Sequence, residues 1–237
     1  MRLGLSGEWP GEVTIRSSYS KATCRSWNLA TPYGHLRLLR GGSAFLKAAA
    51  DHVLSYGVQL VASPPLLHGA DEPWEKAGFK PFLTLDLYRR NIVTHLPDHD
   101  PLVDDKTPDF DKLCSIDHAA FDHLWQMDPV GLQESFRATT SAGVLTVSSE
   151  EGVCAYAIVG VSSITGYLQR IAVDPIHQAQ GHGRRLLRAS MRWAAHHGAA
   201  TMMLNTQPDN DASAALYTSE GFVRLPDGLR VLQYESA

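Results

Sequence analysis

Cysteine is scarce in this 237-residue chain: Cys24, Cys114 and Cys154 are three in number and far apart. An odd, scattered set has neither the pairing of a disulfide framework nor the close spacing of a zinc site. Free thiols, a reducing cytoplasmic setting and no bound metal are therefore expected. No apolar run approaches the roughly 18 residues that a membrane-spanning helix needs. The first residues carry Glu12 and many polar side chains before any long apolar stretch, so no secretory leader is expected. Excess positive charge is missing too. Lys and Arg number 21 against 25 Asp and Glu, a net charge of -4 with a pI near 6.2, which argues against non-specific nucleic-acid binding. The phosphate-binding patterns GxxxxGK[ST] and GxGxxG are absent as well.

What remains is a globular composition, 44% hydrophobic and 19% charged with a mean hydropathy of -0.16. That is enough to bury a core in one large domain or two small ones. The stretch NIVTHLPDHDPLVDDKTPDFD, residues 91–111, holds three prolines, six aspartates and no apolar periodicity, and reads as a connection. It suggests a first domain over 1–91, a linker over 92–108 and a second domain over 109–237. In the second, helical spacing over 111–125 and 130–139 is followed by β-branched runs around the turn SEEG. TGYLQRIAV reads as a further strand, and a helix from about Gly181 to His197 carries Leu186, Leu187, Met191 and Ala194 on one stripe. TMMLNT reads as a strand, DASAALYTSEG as a helix, and residues 222–235 as a hairpin turning at Pro226-Asp227-Gly228. The expected class is α/β, in α+β layers, with a mixed twisted sheet and helices on both faces. The first half repeats the tail of this order. A strand, Gly41-Gly42, a helix, Gly57 and a strand are followed by WEKAGF, set against YTSEGF later, so a duplication with a degenerate first copy is expected.

The stretch VDPIHQAQGHGRRLL, residues 173–187, carries the chemistry. Backbone N–H groups at a helix start are unpaired and sit at the positive end of the dipole. Gly181 and Gly183 let the chain curl so that several of these groups converge on one anion, and Arg184 and Arg185 add charge. Alone the pattern is a generic anion cradle. It gains meaning from NDASAALYTSEGF about thirty residues later.

Together the two stretches resemble the GNAT superfamily of acetyl-CoA-dependent N-acetyltransferases. Its V-x-P-x-x-(R/Q)-x-x-G-x-(G/A) pattern is matched by Val173, Pro175, Gln178, Gly181 and Gly183. Its N-x-x-(A/S)-x-x-L-Y-x-x-x-G-F pattern is matched by Asn210, Ser213, Leu216, Tyr217, Gly221 and Phe222. The resemblance covers about residue 109 to the C-terminus and implies a duplicated GNAT fold whose cosubstrate is acetyl-CoA. It assigns the pyrophosphate to amides of Gln178, Ala179, Gln180, Gly181, His182, Gly183 and Arg184. It sets Ile171, Ala172 and Val173 along the pantetheine arm, with an N–H of Ala172 or Val173 toward the thioester oxygen. Asn210 and Ser213 fall on the cofactor side, Asn210 bonding either the pantetheine arm or the helix that follows. Tyr217 becomes the proton donor to the leaving thiolate, with a packed core tyrosine as the alternative.

The positions where related enzymes place a general base hold Gln169 and Asn205, and neither amide accepts a proton usefully. Water, bulk solvent, a carboxylate such as Asp128 or Glu134, or a histidine (His123 or His182) are the other routes. The acceptor wall, including Glu134, is expected from the first two helices, with Phe121, Trp125 and Met127 partly apolar and Asp122 and Asp128 able to draw in a cationic amine; a helix burying its own aromatics is the alternative. The pattern IDxxAFxxxW resembles the ribosomal-protein-alanine branch, and the tandem layout resembles mycothiol synthase in architecture only. The expected activity is acetyl transfer to a primary amine, on a protein or peptide N-terminus or a small molecule, in a monomer or homodimer. A non-catalytic acyl-CoA-binding or regulatory module is the alternative.

Overall fold

The computed structural model describes residues 2–93, 97–107 and 109–235; residues 94–96 and 108 of the expected linker lie outside them. The chain divides into two compact units, one formed by residues up to 86 with 226 onward, the other by 87–225. These boundaries differ from the expected 91/92 and 108/109: the strand over Lys80–Asn91 is divided between the units, the expected linker falls in the second, and the last strand joins the first.

In the first unit β1 (Gly4–Gly7), β2 (Val13–Arg16), β3 (Lys21–Ser26) and β4 (Tyr33–Arg40) form an antiparallel run. Helix α1 (Ser43–Leu54) then crosses to β5 (Leu60–Ala62), which is parallel to β4, and α2 (Glu72–Lys76) leads to β6 (Lys80–Asn91). The apolar face of α1, Phe45, Leu46, Ala49, Ala50 and Val53, packs with Trp74 and Phe79 in one core. Five residues join β1 to β2, and no helix lies between them.

The second unit repeats the order with additions. Strand β7 (Asp104–Lys106) is followed by α3 (Phe110–Ala120) and α4 (Pro129–Arg137). Then come β8 (Ser141–Ser149), β9 (Gly152–Ser162) and β10 (Thr165–Val173). A 3-10 turn (Pro175–His177) leads into α5 (His182–His196), and β11 (Thr201–Thr206), α6 (Asp211–Ser219) and β12 (Val223–Arg224) complete it. Strands β7 to β10 are antiparallel neighbours, and β11 lies parallel to β10. The second half of β6 follows β11 in the sheet and pairs with β12 at Val223↔Arg89. Helices α5 and α6 share one core with Tyr88, Leu168 and Met202, while α3 and α4 share another with Tyr156, Ile158 and Ala172. Helices therefore cover both faces, as the mixed α/β pattern implied.

The expected hairpin over 222–235 is overturned. β12 pairs with β6, whereas β13 (Leu229–Tyr234) runs antiparallel between β5 and β6 in the first unit's sheet, with Leu229↔Leu85 and Gln233↔Ala62. Leu232 and Tyr234 bury themselves in the first core. The turn at 226–228 thus delivers a strand to the other copy, and twelve-residue β6 serves one unit with each half. No helix among the described residues is long and apolar enough to cross a membrane.

Candidate functional site

The site forms where β10 leaves its neighbour. β10 and β11 pair only at Thr165↔Thr201, Gly166↔Met202 and Tyr167↔Met203. From Leu168 to Val173 β10 keeps β9 on one side, and among the described residues no strand pairs with it on the other. A bulge sits at the divergence: Leu168 opposes Val159 and Arg170 opposes Ile158, so Gln169 is the extra residue. The bulge reverses the side-chain alternation. Leu168 packs with α5 and α6, while Arg170 and Ala172 reach the α3–α4 face. Ile171 and Val173 pack toward α5.

β10 then feeds the loop. The Asp174 side chain accepts from the Ile176 N–H (3.1 Å), and Gln178 Nε2 donates back to the Val173 carbonyl (3.2 Å). Ala179 (φ 58°) and Gly181 (φ 85°) both take left-handed backbone, which turns the chain into α5. No side chain caps α5 and its first turn holds no acid, so the N–H groups there are open. The His182 ring packs edge-on to His177 at 6.4 Å, and its buried Nδ1 has no hydrogen-bond partner among the described residues. Burial, Arg185 and His177 hold that imidazole below its ordinary pKa, so it is neutral near pH 7.

Two expected contributors of free charge are already paired. Arg184 Nη1 and Arg188 Nε both donate to the buried Glu220 carboxylate (2.5 and 2.9 Å), and Arg185 bonds Asp100 (3.0 Å). Arg90 donates to the Glu220 backbone carbonyl. These side chains border an open cleft of about 680 Å³ that starts at Gln180 and Gly181. Burial alone would raise the pKa of Glu220, but Arg188 and Arg184 hold it below 4.5. A lowered carboxylate pKa stabilises the fold above the unfolded value, and that contribution is lost as pH falls through the folded value. The thermal midpoint of wild type should therefore exceed that of Glu220→Gln at neutral pH, and the gap should narrow below about pH 4.5. A gap constant down to pH 3 would refute this.

Asn210 caps α6, its Oδ1 accepting from the Ser213 N–H at 3.0 Å, so the oxygen serves the following helix. Tyr217 is 3% exposed and packs edge-on to Tyr88 at 5.7 Å. Burial lifts its hydroxyl above the usual tyrosine pKa, against a hydrogen bond with Ser213, so it keeps its proton at neutral pH. Gln169 is half-buried and Asn205 exposed.

The α3–α4 wall is organised differently from expectation. Asp128 is buried and caps α4 by accepting from the Gly131 N–H (2.7 Å), which takes it away from any amine. Asp122 accepts from the Leu124 and Trp125 N–H groups of its own turn. Phe121, Trp125 and Glu134 are half-buried, and Met127 packs into the α3–α4 core beside Phe121. The organiser is a residue pair that the motif reading passed over. Asp117 is fully buried and accepts from Arg170 Nε and Nη2 (2.7 and 2.8 Å), Tyr156 Oη (2.6 Å) and Met127 N–H (2.7 Å). Arg170 also donates to the Trp125 carbonyl (2.7 Å) and lies 3.5 Å from the centre of the Phe121 ring. Its signal was a lone cation in the apolar strand TGYLQRIAV. Glu220 had one too: an acid at a helix C-terminus opposes the dipole and needs a cationic partner.

Among the described residues no group of three or more His, Cys, Asp or Glu is placed to hold a metal. The three cysteines are buried free thiols. An uncharacterised protein of Mycobacterium leprae is 26% identical over 206 residues, which cover 83% of this chain and 56% of that protein. The chain thus spans little more than half of that relative's length. The [ribosomal protein bS18]-alanine N-acetyltransferase of Haemophilus ducreyi is 28% identical over 131 residues, 52% of this chain and 88% of that enzyme. Among solved structures, a tandem GNAT protein from the clavulanic acid biosynthesis pathway superposes with a TM-score of 0.65 at 12% identity. The match covers 95% of this chain and 82% of that one, and it speaks to the fold. Residues 110–222, a little under half of the chain, match the model of the acetyltransferase (GNAT) family, and this region is similar to that family.

Proposed function

We propose that this chain moves the acetyl group of acetyl-CoA to a primary amine by direct attack in a ternary complex. One observation carries the reading: among the described residues the edge of β10 from Leu168 to Val173 is unpaired on the β11 side, and the 174–181 loop leads from it into an uncapped helix. A free strand edge accepts an extended amide-bearing ligand as an added strand, and the pantetheine arm is one. The helix start takes the diphosphate on the amides of residues 178–184, where no acid competes.

In that pose Ile171, Ala172 and Val173 border the arm, and the N–H of Val173 polarises the thioester carbonyl, because the Asp174 N–H bonds the Cys154 carbonyl and the alternation turns the Ala172 N–H to β9 as well. The amine attacks the carbonyl carbon, the C–S bond breaks, and Tyr217 gives its proton to the departing thiolate. The ammonium proton leaves through water, because Gln169 and Asn205 are amides and Asp128 is committed to a helix cap. Asn210 and Ser213 support Tyr217 by starting α6 at a fixed point.

The first unit serves a different purpose in this reading. Two glycines, Gly41 and Gly42, join its β4 to α1, where the second unit spends residues 174–181, and no helix pair stands between β1 and β2. It has neither a diphosphate loop nor an acceptor wall.

The acceptor class is a peptide N-terminus or a small amine. Calorimetry with acetyl-CoA and thiol release with a panel of amines and peptides test the proposal. The panel includes peptides beginning with alanine, as the Haemophilus relative's name suggests. Saturable binding and turnover with a panel member are expected. Tight acetyl-CoA binding without turnover across the panel would favour a non-catalytic acyl-CoA module, and no binding would end both readings.

A further inference from the structure

We infer that the acceptor is a weakly basic amine that arrives already neutral, an α-amine beside a carbonyl group rather than a lysine-type or polyamine ammonium. The inference rests on the acetyl-transfer reading above and narrows its acceptor. It follows from how the acids of the α3–α4 wall are committed. Asp117 is 0% exposed and accepts from four donors. Asp128 is held by the start of α4, and Asp122 by the two N–H groups of its own turn. Glu134 is half-buried and holds an interaction of its own. Gln169 in the bulge and Asn205 on β11 are amides, which take up no proton at neutral pH. Each carboxylate of the wall therefore already serves a partner when an amine enters.

The charge that the wall still shows is positive. Arg170 lies on β10 three residues before Val173, about 10 Å along a strand. It sits 3.5 Å from the centre of the Phe121 ring and bonds the Trp125 carbonyl, two residues that the reading sets on the acceptor side. Of the Arg170–Asp117 pair only the guanidinium has any exposure, 9% against 0%. Its Nε and Nη2 serve Asp117 and Trp125, and Nη1 has no acceptor among the described residues. A fixed cation opposes a second one beside it and lowers the basicity of an amine brought near. Its spare N–H groups suit an oxygen, such as the carbonyl next to an α-amine. The titratable neighbours are engaged too. His118 Nε2 lies against Cys114 Sγ and the Met127 carbonyl (3.3 and 3.1 Å), Tyr156 donates to Asp117, and His123 holds an interaction of its own. The amine must then lose its proton before it binds, and its own basicity sets the cost. An α-amino group, pKa about 7.7–8.0, is roughly one-tenth neutral at pH 7, whereas a lysine amine, pKa about 10.4, is neutral in about 0.04% of molecules. The two differ roughly 300-fold in the reactive form.

Initial rates on the full chain with saturating acetyl-CoA, from pH 7 to 9, test this. A peptide carrying one free α-amine and one lysine sets both amines in one competition, and mass spectrometry of its fragments reads the ratio. Alaninamide against spermidine repeats the comparison with small acceptors. At pH 7 the α-amine is expected to react about 100-fold faster, the ratio of neutral forms reduced by the greater nucleophilicity of the lysine amine. At pH 9 that ratio should shrink about tenfold, because the α-amine is by then largely neutral while the lysine amine still gains tenfold per unit. Alaninamide should outpace spermidine in the same way. Equal rates at pH 7, or a preference for lysine or spermidine, overturn the inference and leave acetyl transfer standing. An α-amine preference that stays constant to pH 9 also overturns it, since shape then makes the choice. So does a break at one shared pH for every amine, because the protein then supplies the base. Saturable acetyl-CoA binding with no turnover on any of these amines removes the acetyl-transfer reading, and this inference with it.

Discussion

Tyr217→Phe is expected to lower turnover by about 10- to 100-fold while leaving acetyl-CoA affinity within about twofold, the low end of what a general acid supplies. The low end applies because a CoA thiolate is a moderately good leaving group and departs slowly even without a proton. The substitution is conservative in packing. Tyr217 lies 3% exposed against Tyr88 and Phe222, and Phe fills the same space less one hydroxyl. Loss of its hydrogen bond with Ser213 should cost only about 1 kcal/mol of stability. The two effects therefore separate: kcat falls and the fold persists. Burial keeps the hydroxyl above its ordinary pKa of 10.0, so an alkaline limb in the wild-type kcat profile below pH 10 belongs to another group. Steady-state kinetics with any acceptor from the panel measure this. Unchanged kcat would return Tyr217 to the role of a core residue.

The legible parts of this molecule are those fixed by local chemistry. Helix α5 announces itself through Leu186, Leu187, Met191 and Ala194 on one stripe, and it runs from His182 to His196. The loop is legible because Gly181 needs a backbone that few other residues adopt, φ 85°. The repeated β–α–β–α–β order is legible on either side of the connection, β4 to β6 and β10 to β12. What escaped the reading was non-local. Pro226-Asp227-Gly228 has hairpin chemistry whether its second strand returns beside the first or joins another sheet, and the choice depends on where Leu232 and Tyr234 find a core. Gln169 shows no bulge signature, so strict alternation places Arg170 on the same face as Leu168, and the Asp117 pair is hidden. Charges read as free at Arg184 and Arg185 have partners 36 and 85 residues away, whereas Asp128 is taken by a local helix cap three residues on.

Asp117→Ala should be the most destabilising single change in the second unit, at about 3–5 kcal/mol, the usual cost of removing one partner from a buried ion pair. Four donors lose their acceptor at once: two nitrogens of Arg170, the Tyr156 hydroxyl and the Met127 N–H. Arg170, 9% exposed, cannot turn to water and keeps only the Trp125 carbonyl and the Phe121 ring. Tyr156 is 0% exposed and equally trapped. Asp117→Asn should cost less, because an amide oxygen still accepts from Met127 or Tyr156 while the charge is lost. Removing both charges, Asp117→Leu with Arg170→Met, should recover only part of the loss, since a packed apolar pair needs no counter-ion but the Tyr156 hydroxyl and Met127 N–H stay unpaired. Urea unfolding of the four proteins measures this series, and a single-variant loss below about 1 kcal/mol would sink it. The pair also ties residues 121–127 to β10 through Met127 and Trp125. Amide exchange in that segment should therefore rise in Asp117→Ala well before global unfolding. In the proposed reaction this segment forms the amine side of the site and β10 the thioester side. Asp117 then sets the distance across which the acetyl group must travel, and the double apolar variant, partly restored but without the directional bonds, should raise acceptor KM more than acetyl-CoA KM.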